Sequence, residues 1–283
     1  MTDGRAIGVF DSGVGGLTVL GAITRALPDE RVLYLGDTAR VPYGTRSADV
    51  VTRYALNNAR TMLHLEPLKL LVVACNTATA VALPALQATL PIPVVGVIEP
   101  GALSAIAETR GGRVLVLGTA GTVRSGAYPR AFEKLGHAHP VETRACPLLV
   151  PLVEEGWTDG EIPRAVIERY LSDVSRDVDT IVLGCTHYPL LGQSIAEVAA
   201  RVVGRPVAVV DGGEATARRV KELLDTRDAR RDPTDGPLTR RVFVTDAPEQ
   251  MDALAPRFLG EALGRAPLSK AELVDVIFDA PAR

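Results

Sequence analysis

Two cysteines follow apolar runs that have the composition of buried strands. Cys75 follows Leu70–Ala74, and Cys185 follows Thr180–Gly184. Polar residues come directly after each thiol, as they do where a strand passes into a helix. In open α/β sheets, ligands bind outside the carboxyl ends of the strands. Two thiols so placed, one in each half of the chain, predict an acid and a base on opposite sides of one substrate.

A thiol has an ordinary pKa of about 8.5, which is close enough to neutral pH for acid–base work. The alternative is that a free cysteine only fills space in the core. We assign that structural role to the third cysteine, Cys146, which has no polar loop behind it. An odd and sparse set of cysteines is not a disulfide framework, so a reducing cytoplasm is expected.

Other polar side chains share the predicted strand ends. His187 lies two residues beyond Cys185 and is suited to exchange a proton with it. Asp11, at the end of the first predicted strand, could serve Cys75 in the same way or cap the following helix. Neutral donors at these ends suit a substrate with two carboxylates. They are Ser12, Asn76, Thr77, Thr119, Thr122 and Thr186.

Cofactor sites are weakly supported by the sequence. The loop from Gly13 to Gly16, with Asp37 further on, imitates a dinucleotide fingerprint, but Thr18 stands where its last glycine belongs. A metal site formed by Cys75, Cys185, His187 and Asp11 is chemically possible, although no ligand spacing links these residues. Pyridoxal phosphate requires a lysine, and the lysines at 69, 134, 221 and 270 are all expected at the surface. We therefore expect no metal and no cofactor.

Composition limits the partners. A net charge of −3 and a pI near 5.9 give no basic surface for nucleic acid or for an anionic membrane. Residues 70–98 carry no charge and are long enough to span a bilayer, but polar residues and three prolines favour a buried strand, loop, helix and strand. The first residues lead into a strand pattern without a signal-peptide core, so a soluble, cytoplasmic protein is expected.

Strand and helix patterns alternate along the chain, which predicts mostly parallel sheets with helices on both faces. The predicted strands are Ala6–Phe10, Val32–Leu35, Leu70–Ala74, Val94–Ile98, Val114–Leu117, Thr180–Leu183, Val207–Val210 and Val242–Thr245. The clearest helical patterns are Val50–Leu65, Ile162–Val174 and Leu190–Val202. The arginine-rich stretch Arg227–Arg241 is expected to be a solvated loop.

A weak internal repeat divides the chain into two quasi-equivalent α/β units. The interval from Asp11 to Cys75 nearly equals that from Thr119 to Cys185. We expect doubly wound, mostly parallel-sheet domains at 1–98 and 99–210, with the chain crossing between them at Glu99-Pro100-Gly101. The segment 211–283 either forms a third unit or returns to complete the first.

At these residues the chain resembles the bacterial glutamate racemases of the aspartate/glutamate racemase superfamily. The similar blocks extend from the first strand to Thr216, and the two cysteine blocks together are highly specific. The blocks are Gly8–Thr18, Gly36–Thr38, Pro42–Gly44, Ala74–Ala78, Gly118–Ser125, Val150–Gly156, Gly184–Leu190 and Gly212–Thr216.

The resemblance implies a cofactor-independent interconversion of L- and D-glutamate that supplies D-glutamate for peptidoglycan. It also implies an active site between two domains, a C-terminal segment that rejoins the first domain, and a homodimer. Cys75 and Cys185 match the catalytic thiols, acting on D- and L-glutamate respectively, with Asp11, His187 and Glu154 as supporting acid–base residues. The substrate-contacting positions match Ser12, Pro42, Tyr43, Gly44, Asn76, Thr77, Thr119, Thr122 and Thr186.

Three alternatives remain open at the level of sequence. The chain could be a related racemase or isomerase that acts on aspartate or another acid. It could be an NAD-binding dehydrogenase that uses the glycine loop. It could also be a regulator without catalytic activity.

Overall fold

The computed structural model describes residues 2–260 and 267–277. Strands and helices alternate through most of this length, as the patterns predict. The strands are β1 (Ala6–Asp11), β2 (Val32–Gly36), β3 (Leu68–Val73), β4 (Val94–Gly96), β5 (Arg113–Gly118), β6 (Val141–Ala145), β7 (Val178–Gly184), β8 (Ala208–Asp211), β9 (Arg240–Val244) and β10 (Ala271–Leu273). The α-helices are α1 (Leu17–Ala26), α2 (Ala48–Leu65), α3 (Asn76–Thr89), α4 (Ile98–Glu108), α5 (Ala120–Ser125), α6 (Ala127–Lys134), α7 (Leu149–Glu154), α8 (Glu161–Leu171), α9 (Gly192–Val203), α10 (Gly212–Thr226) and α11 (Pro248–Leu259).

The strands form two parallel sheets, and this confirms the predicted fold class. The first sheet has the order β10-β9-β2-β1-β3-β4, and the second has the order β6-β5-β7-β8. The central strands are mostly apolar because helices cover both faces of each sheet. In β1 and β3 of the first sheet every residue is buried.

Successive residues of a strand in the first sheet point to opposite faces and pack into different apolar clusters. Ile7 and Val9 pack on the face that α1 covers, in one apolar cluster with Leu20 of that helix. Ala6 and Phe10 point to the other face, in a cluster with residues of α2 and α3. This two-sided burial fixes the register of β1, and therefore where the loop after Asp11 emerges.

The chain leaves the second sheet after β8 and returns to the first. Helix α10 packs against α1 and α4, and β9 then pairs with β2. We propose on this basis that 99–210 forms one domain and that the chain from 211 completes the domain begun by 1–98. Within those ranges, residues 1, 261–266 and 278–283 lie outside the described residues.

Glu99-Pro100-Gly101 lies in the first turns of α4, the helix between β4 of the first sheet and β5 of the second, and proline is tolerated there because the first helical amides lack acceptors. Other local expectations are wrong. Lys69 is buried, because its ammonium contacts the Glu30 carboxylate at 2.6 Å and two backbone carbonyls. Arg231 and Arg240, from the stretch expected to be solvated, are also buried. The strands β6 and β10 are absent from the predicted set.

A helix can cross a bilayer only if it is long and almost wholly apolar. Among the residues that the structure describes, no helix combines the length and the apolar character that a bilayer span requires. The uncharged stretch 70–98 instead forms most of β3, then α3 and β4, and the start of α4.

Candidate active site

The two sheets meet at a cavity of about 320 Å³ that lies at the carboxyl ends of β1, β3, β5 and β7. Cys75 and Cys185 both line it and are only 6% and 7% exposed. Most of the residues singled out in the sequence line this cavity: Ser12, Pro42, Tyr43, Gly44, Asn76, Thr77, Thr119, Glu154, Thr186 and His187. Asp11 and Thr122 are buried but are not among its lining residues.

Cys75 is the N-cap residue of α3. Its Sγ accepts a hydrogen bond from the Ala78 amide at 3.5 Å and donates one to Ser12 Oγ at 3.6 Å. Burial raises the pKa of this thiol to about 12, and the charge of Asp11 acts in the same direction, against those two hydrogen bonds. The expectation of a pKa near the ordinary value is therefore wrong for Cys75, because a buried thiolate loses its hydration.

Asp11 is fully buried behind the thiol. Its Oδ2 accepts from the Gly13 amide at 3.0 Å. Burial raises the pKa of this carboxyl, while the charge of His187 and backbone amides act to lower it. The N-cap position of α1 belongs to Gly16, so Asp11 orders the loop rather than capping that helix. Tyr34 supports the same loop by donating from its hydroxyl to the Gly13 carbonyl at 2.6 Å.

Cys185 is the first member of a chain of three polar side chains. Its Sγ lies 4.0 Å from Nδ1 of His187, and Nε2 of His187 lies 3.0 Å from Oε1 of Glu154. Burial acts to lower the pKa of His187, but the hydrogen bonds and charges of Cys185 and Glu154 outweigh it and raise the pKa to about 10. Glu154 lines the cavity, whereas its neighbour Glu155 is the C-cap residue of α7.

Hydroxyl groups join the two halves beside the thiols. Thr77 Oγ1, at the start of α3, lies 2.9 Å from Thr119 Oγ1 and 3.3 Å from Thr122 Oγ1. Tyr128 of α6 donates to Asn76 Oδ1 at 2.8 Å. These bonds link the loop after β3 to elements of the second sheet, so the walls of the cavity have a fixed spacing.

The segment Pro42–Gly44 forms another wall of the cavity, and a hydrogen bond to Asp37 holds it in place. The Tyr43 hydroxyl donates a hydrogen bond to the Asp37 carboxylate. The side-chain amide of Asn58 donates another to the same carboxylate at 3.0 Å. Gly44 then passes so close to Thr119 that an added Cβ would lie 2.7 Å from that residue's Cβ. Only glycine allows this approach of the two halves.

Some residues of the site were missed by sequence reasoning. The cavity is also lined by Gly13, Val41, Thr45, Ala120, Pro147, Val150 and Pro151. Behind the lining, Arg257 and Phe258 of α11 contact Glu154 and His187. Val150 and Pro151 lie within a block that resembles the racemases, whereas nothing in the sequence around Arg257 signals its contact.

The sequence also suggests a metal site and a dinucleotide-binding glycine loop. Among the described residues, no group of three or more His, Cys, Asp or Glu side chains is arranged to hold a metal ion. Side chains from the second half of the chain occupy the space beside the glycine loop. A Cβ added at Gly15 would lie 2.3 Å from Thr186 Oγ1 and 2.5 Å from His187 Nδ1. The loop therefore packs against the Cys185 segment.

Comparison with known proteins agrees with this geometry. The model of a family described as Asp/Glu/Hydantoin racemase matches residues 7–220. A glutamate racemase from Geobacter metallireducens is 55% identical over 261 residues, which cover 92% of this chain and 94% of that protein. Among solved structures, glutamate racemase isoform RacE1 from Bacillus anthracis has a TM-score of 0.86 and 38% identity, covering 97% of this chain and 99% of that one.

A further solved structure contains a ligand. The glutamate racemase from Francisella tularensis in complex with D-glutamate has a TM-score of 0.84 and 32% identity, and the match covers 96% of this chain and 98% of that one. The paired parallel sheets thus have the fold of the racemases. This chain belongs to the Asp/Glu/Hydantoin racemase family.

Proposed function

We propose that this protein interconverts L- and D-glutamate without a cofactor, using Cys75 and Cys185 as the acid–base pair. The observation that carries the proposal is that both thiols line one cavity and come from different sheets. The glutamate specificity is supported by the relatives, which are named glutamate racemases.

The reaction requires two proton transfers at the α-carbon. With L-glutamate, the thiolate of Cys185 takes the α-proton, and the thiol of Cys75 delivers a proton to the opposite face to give D-glutamate. The reverse reaction exchanges these roles. Each turnover moves the resident proton from one thiol to the other, and exchange with solvent resets the pair. Opposed thiols allow inversion without rotation of the substrate.

The neighbours of each thiol are suited to these transfers. The pKa of Cys75, raised by burial to about 12, keeps it protonated at neutral pH and ready to donate. On the other side, His187 contacts Cys185 through Nδ1 and Glu154 through Nε2, so it can hold or pass the proton of that thiol. Asp11 lies behind Cys75 and is placed to influence its proton affinity.

Substrate binding relies on neutral donors. Of the described residues that line the cavity, none is lysine or arginine. We propose that the two carboxylates of glutamate are bound by hydroxyl, amide and backbone groups of Ser12, Tyr43, Gly44, Asn76, Thr77, Thr119 and Thr186, with Pro42 and Thr122 shaping the site. Fixed dipoles in a buried cavity stabilise the developing carbanion with little reorganisation.

The biological setting follows from the resemblance. We propose that the protein works in the cytoplasm, where it supplies D-glutamate for peptidoglycan, and that it forms a homodimer. Light scattering with and without glutamate measures the oligomeric state, and a monomer under both conditions would contradict the dimer.

The activity is tested by polarimetry or circular dichroism on dialysed protein with no added cofactor. L-glutamate should lose its optical signal completely, and D-glutamate should reach the same racemic endpoint. L-aspartate should react far more slowly. Activity that disappears on dialysis and returns with pyridoxal phosphate or a metal ion would refute cofactor independence. Faster racemisation of aspartate would overturn the choice of substrate.

A further inference from the structure

Glu154 is the last residue of a very short helix. Helix α7 has six residues, so most of its carbonyls at the C-terminal end lack partners within the helix. Arg257 supplies a partner from outside: its Nη1 donates to the Val153 carbonyl at 3.1 Å and to the Glu154 carbonyl at 2.6 Å. A cation at a helix C-terminus is also favoured by the helix dipole.

The arginine comes from the other half of the molecule. Helix α11, which carries Arg257, lies between β9 and β10 of the first sheet, whereas α7 follows β6 of the second. Its guanidinium packs against Gly156, where an added Cβ would lie 2.8 Å from Nη2. Gly156 has a φ of +83°, a conformation that favours glycine. The turn after α7 is thus shaped to receive this side chain.

The next residue of α11 contacts the partner of Glu154. Phe258 is buried, and its ring meets the His187 ring edge-on, with centroids 5.3 Å apart and an interplanar angle of 84°. Edge-to-face contacts of this kind hold a ring in one orientation. Two consecutive residues therefore secure both members of the Glu154–His187 pair, whose nitrogen and oxygen lie 3.0 Å apart.

We propose that Arg257 and Phe258 are positioning residues for the half-reaction at Cys185. Arg257 fixes the end of α7, and so the direction in which Glu154 reaches His187. Phe258 fixes the ring plane of His187 beside the thiol. The proposal rests on the two-thiol function proposed above. The hydrogen bonds and ring contact that the structure gives Arg257 and Phe258 go to the Glu154–His187 side and not to Cys75 or Ser12, so the other half-reaction should not depend on them.

The test must separate the two half-reactions. Because the equilibrium constant of a racemisation is one, kcat/KM has to fall equally in both directions whichever side is damaged. A chlorinated glutamate analogue that loses HCl after α-deprotonation reports each thiol alone, since the elimination is irreversible. The L form reports the base at Cys185, and the D form reports the base at Cys75.

The variants are Arg257→Met, which removes the guanidinium but keeps the aliphatic stem, and Phe258→Leu, which removes the ring. Each should lower elimination from the L form by roughly tenfold or more, since small misplacements of catalytic groups have effects of that size. Elimination from the D form should change by less than about twofold. Arg257→Lys, which retains the positive charge, should recover part of the L rate.

Arg201→Met is the matched control. Arg201 is an exposed residue of α9 that pairs with Glu168, so its loss should leave both rates unchanged. Equal losses of the L and D rates in the folded Arg257 and Phe258 variants, or no loss in either, would refute the positioning role alone. A wild-type protein that processes neither form would refute the proposed function and this inference with it.

Discussion

Cys75 and Cys185 carry the same functional group in unlike surroundings. Cys75 has a buried carboxylate, Asp11, behind it and the Ser12 hydroxyl beside it. Cys185 has the imidazole of His187 beside it, and that ring forms a hydrogen bond with the half-exposed carboxylate of Glu154. Side chains of equal chemistry thus have different neighbours in the two halves of the site.

Burial is the main cause of the raised pKa of Cys75, and the charge of Asp11 adds to it. Asp11→Asn removes a negative charge that opposes formation of the Cys75 thiolate, so the pKa of Cys75 should fall from its value of about 12. Because only the thiolate is alkylated, iodoacetamide should modify Cys75 faster at pH 9, by about tenfold for each unit by which the pKa falls. The measurement is made in a background that lacks Cys146 and Cys185.

Ser12→Ala supplies a control with the opposite sign. Once Cys75 is deprotonated, the Ser12 hydroxyl can turn to donate to the thiolate and so acts to lower the pKa of Cys75, so its removal should slow alkylation of Cys75. If both substitutions change the rate in the same direction, the electrostatic account of this thiol is incorrect.

At the scale of residues, the sequence predicts where the side chains of the site lie along the strands and loops, but not which distant residues surround them. The places of Cys75, Cys185 and His187 follow from local patterns, since a strand and the loop after it are contiguous in the chain. The raised pKa of Cys75 follows from burial by residues distant in sequence, which no local pattern contains. Lys69 was misplaced for the same reason, since its partner Glu30 lies in the loop between α1 and β2, distant in sequence.

At the scale of elements, strands with a continuous apolar run were predictable, including the edge strands β4 and β8, whereas the edge strands β6 and β10 were not. Every residue of β1 and β3 is buried, and most are apolar, because both faces of the sheet are covered. β6 is a half-buried edge strand, Val-Glu-Thr-Arg-Ala, and β10 has three residues. A short edge strand with one solvated face carries little hydrophobic signal, so its pairing depends on neighbours that the sequence does not reveal.

The approach of two loops depends on a single glycine. A Cβ at Gly15 would lie 2.3 Å from Thr186 Oγ1 and 2.5 Å from His187 Nδ1. Gly15→Ala should therefore push the loop after β1 away from the Cys185 segment and displace His187. We expect kcat/KM for glutamate to fall by about tenfold or more, with a loss of stability of about 1–3 kcal/mol from overpacking.

Gly192→Ala is the corresponding control. Gly192 begins α9 without a positive φ, and the nearest atom to an added Cβ is Leu183 Cδ1 at 3.9 Å. This variant should keep full activity. Thermal unfolding and racemisation are measured on both proteins, and full activity of Gly15→Ala would contradict the close packing described for the two loops.

At the scale of the whole molecule, the return of the chain places a helix of the C-terminal segment behind the site. Helix α10 packs against elements of both halves, and α11 brings Arg257 to the end of α7. The internal repeat in the sequence predicted two similar units, but it did not decide whether the last segment forms a third unit or completes the first. The contact between Arg257 and Glu154 joins residues about a hundred positions apart, and contacts so distant leave no periodic trace in one sequence.

The central claim is that each half of the molecule supplies one thiol to one face of the substrate. The most direct measurement is elimination of HCl from the L and D forms of a chlorinated glutamate analogue by Cys75→Ser and Cys185→Ser, with Cys146→Ala as the control that keeps both rates. A serine hydroxyl is a far weaker acid than a thiol, so racemisation should be nearly abolished in both serine variants.

Cys75→Ser should retain elimination from the L form and lose that from the D form by about a hundredfold or more, and Cys185→Ser should show the reverse. Equal processing of the same enantiomer by both serine variants would contradict the assignment of one thiol to each face. Full racemisation by either variant would contradict the two-thiol mechanism itself.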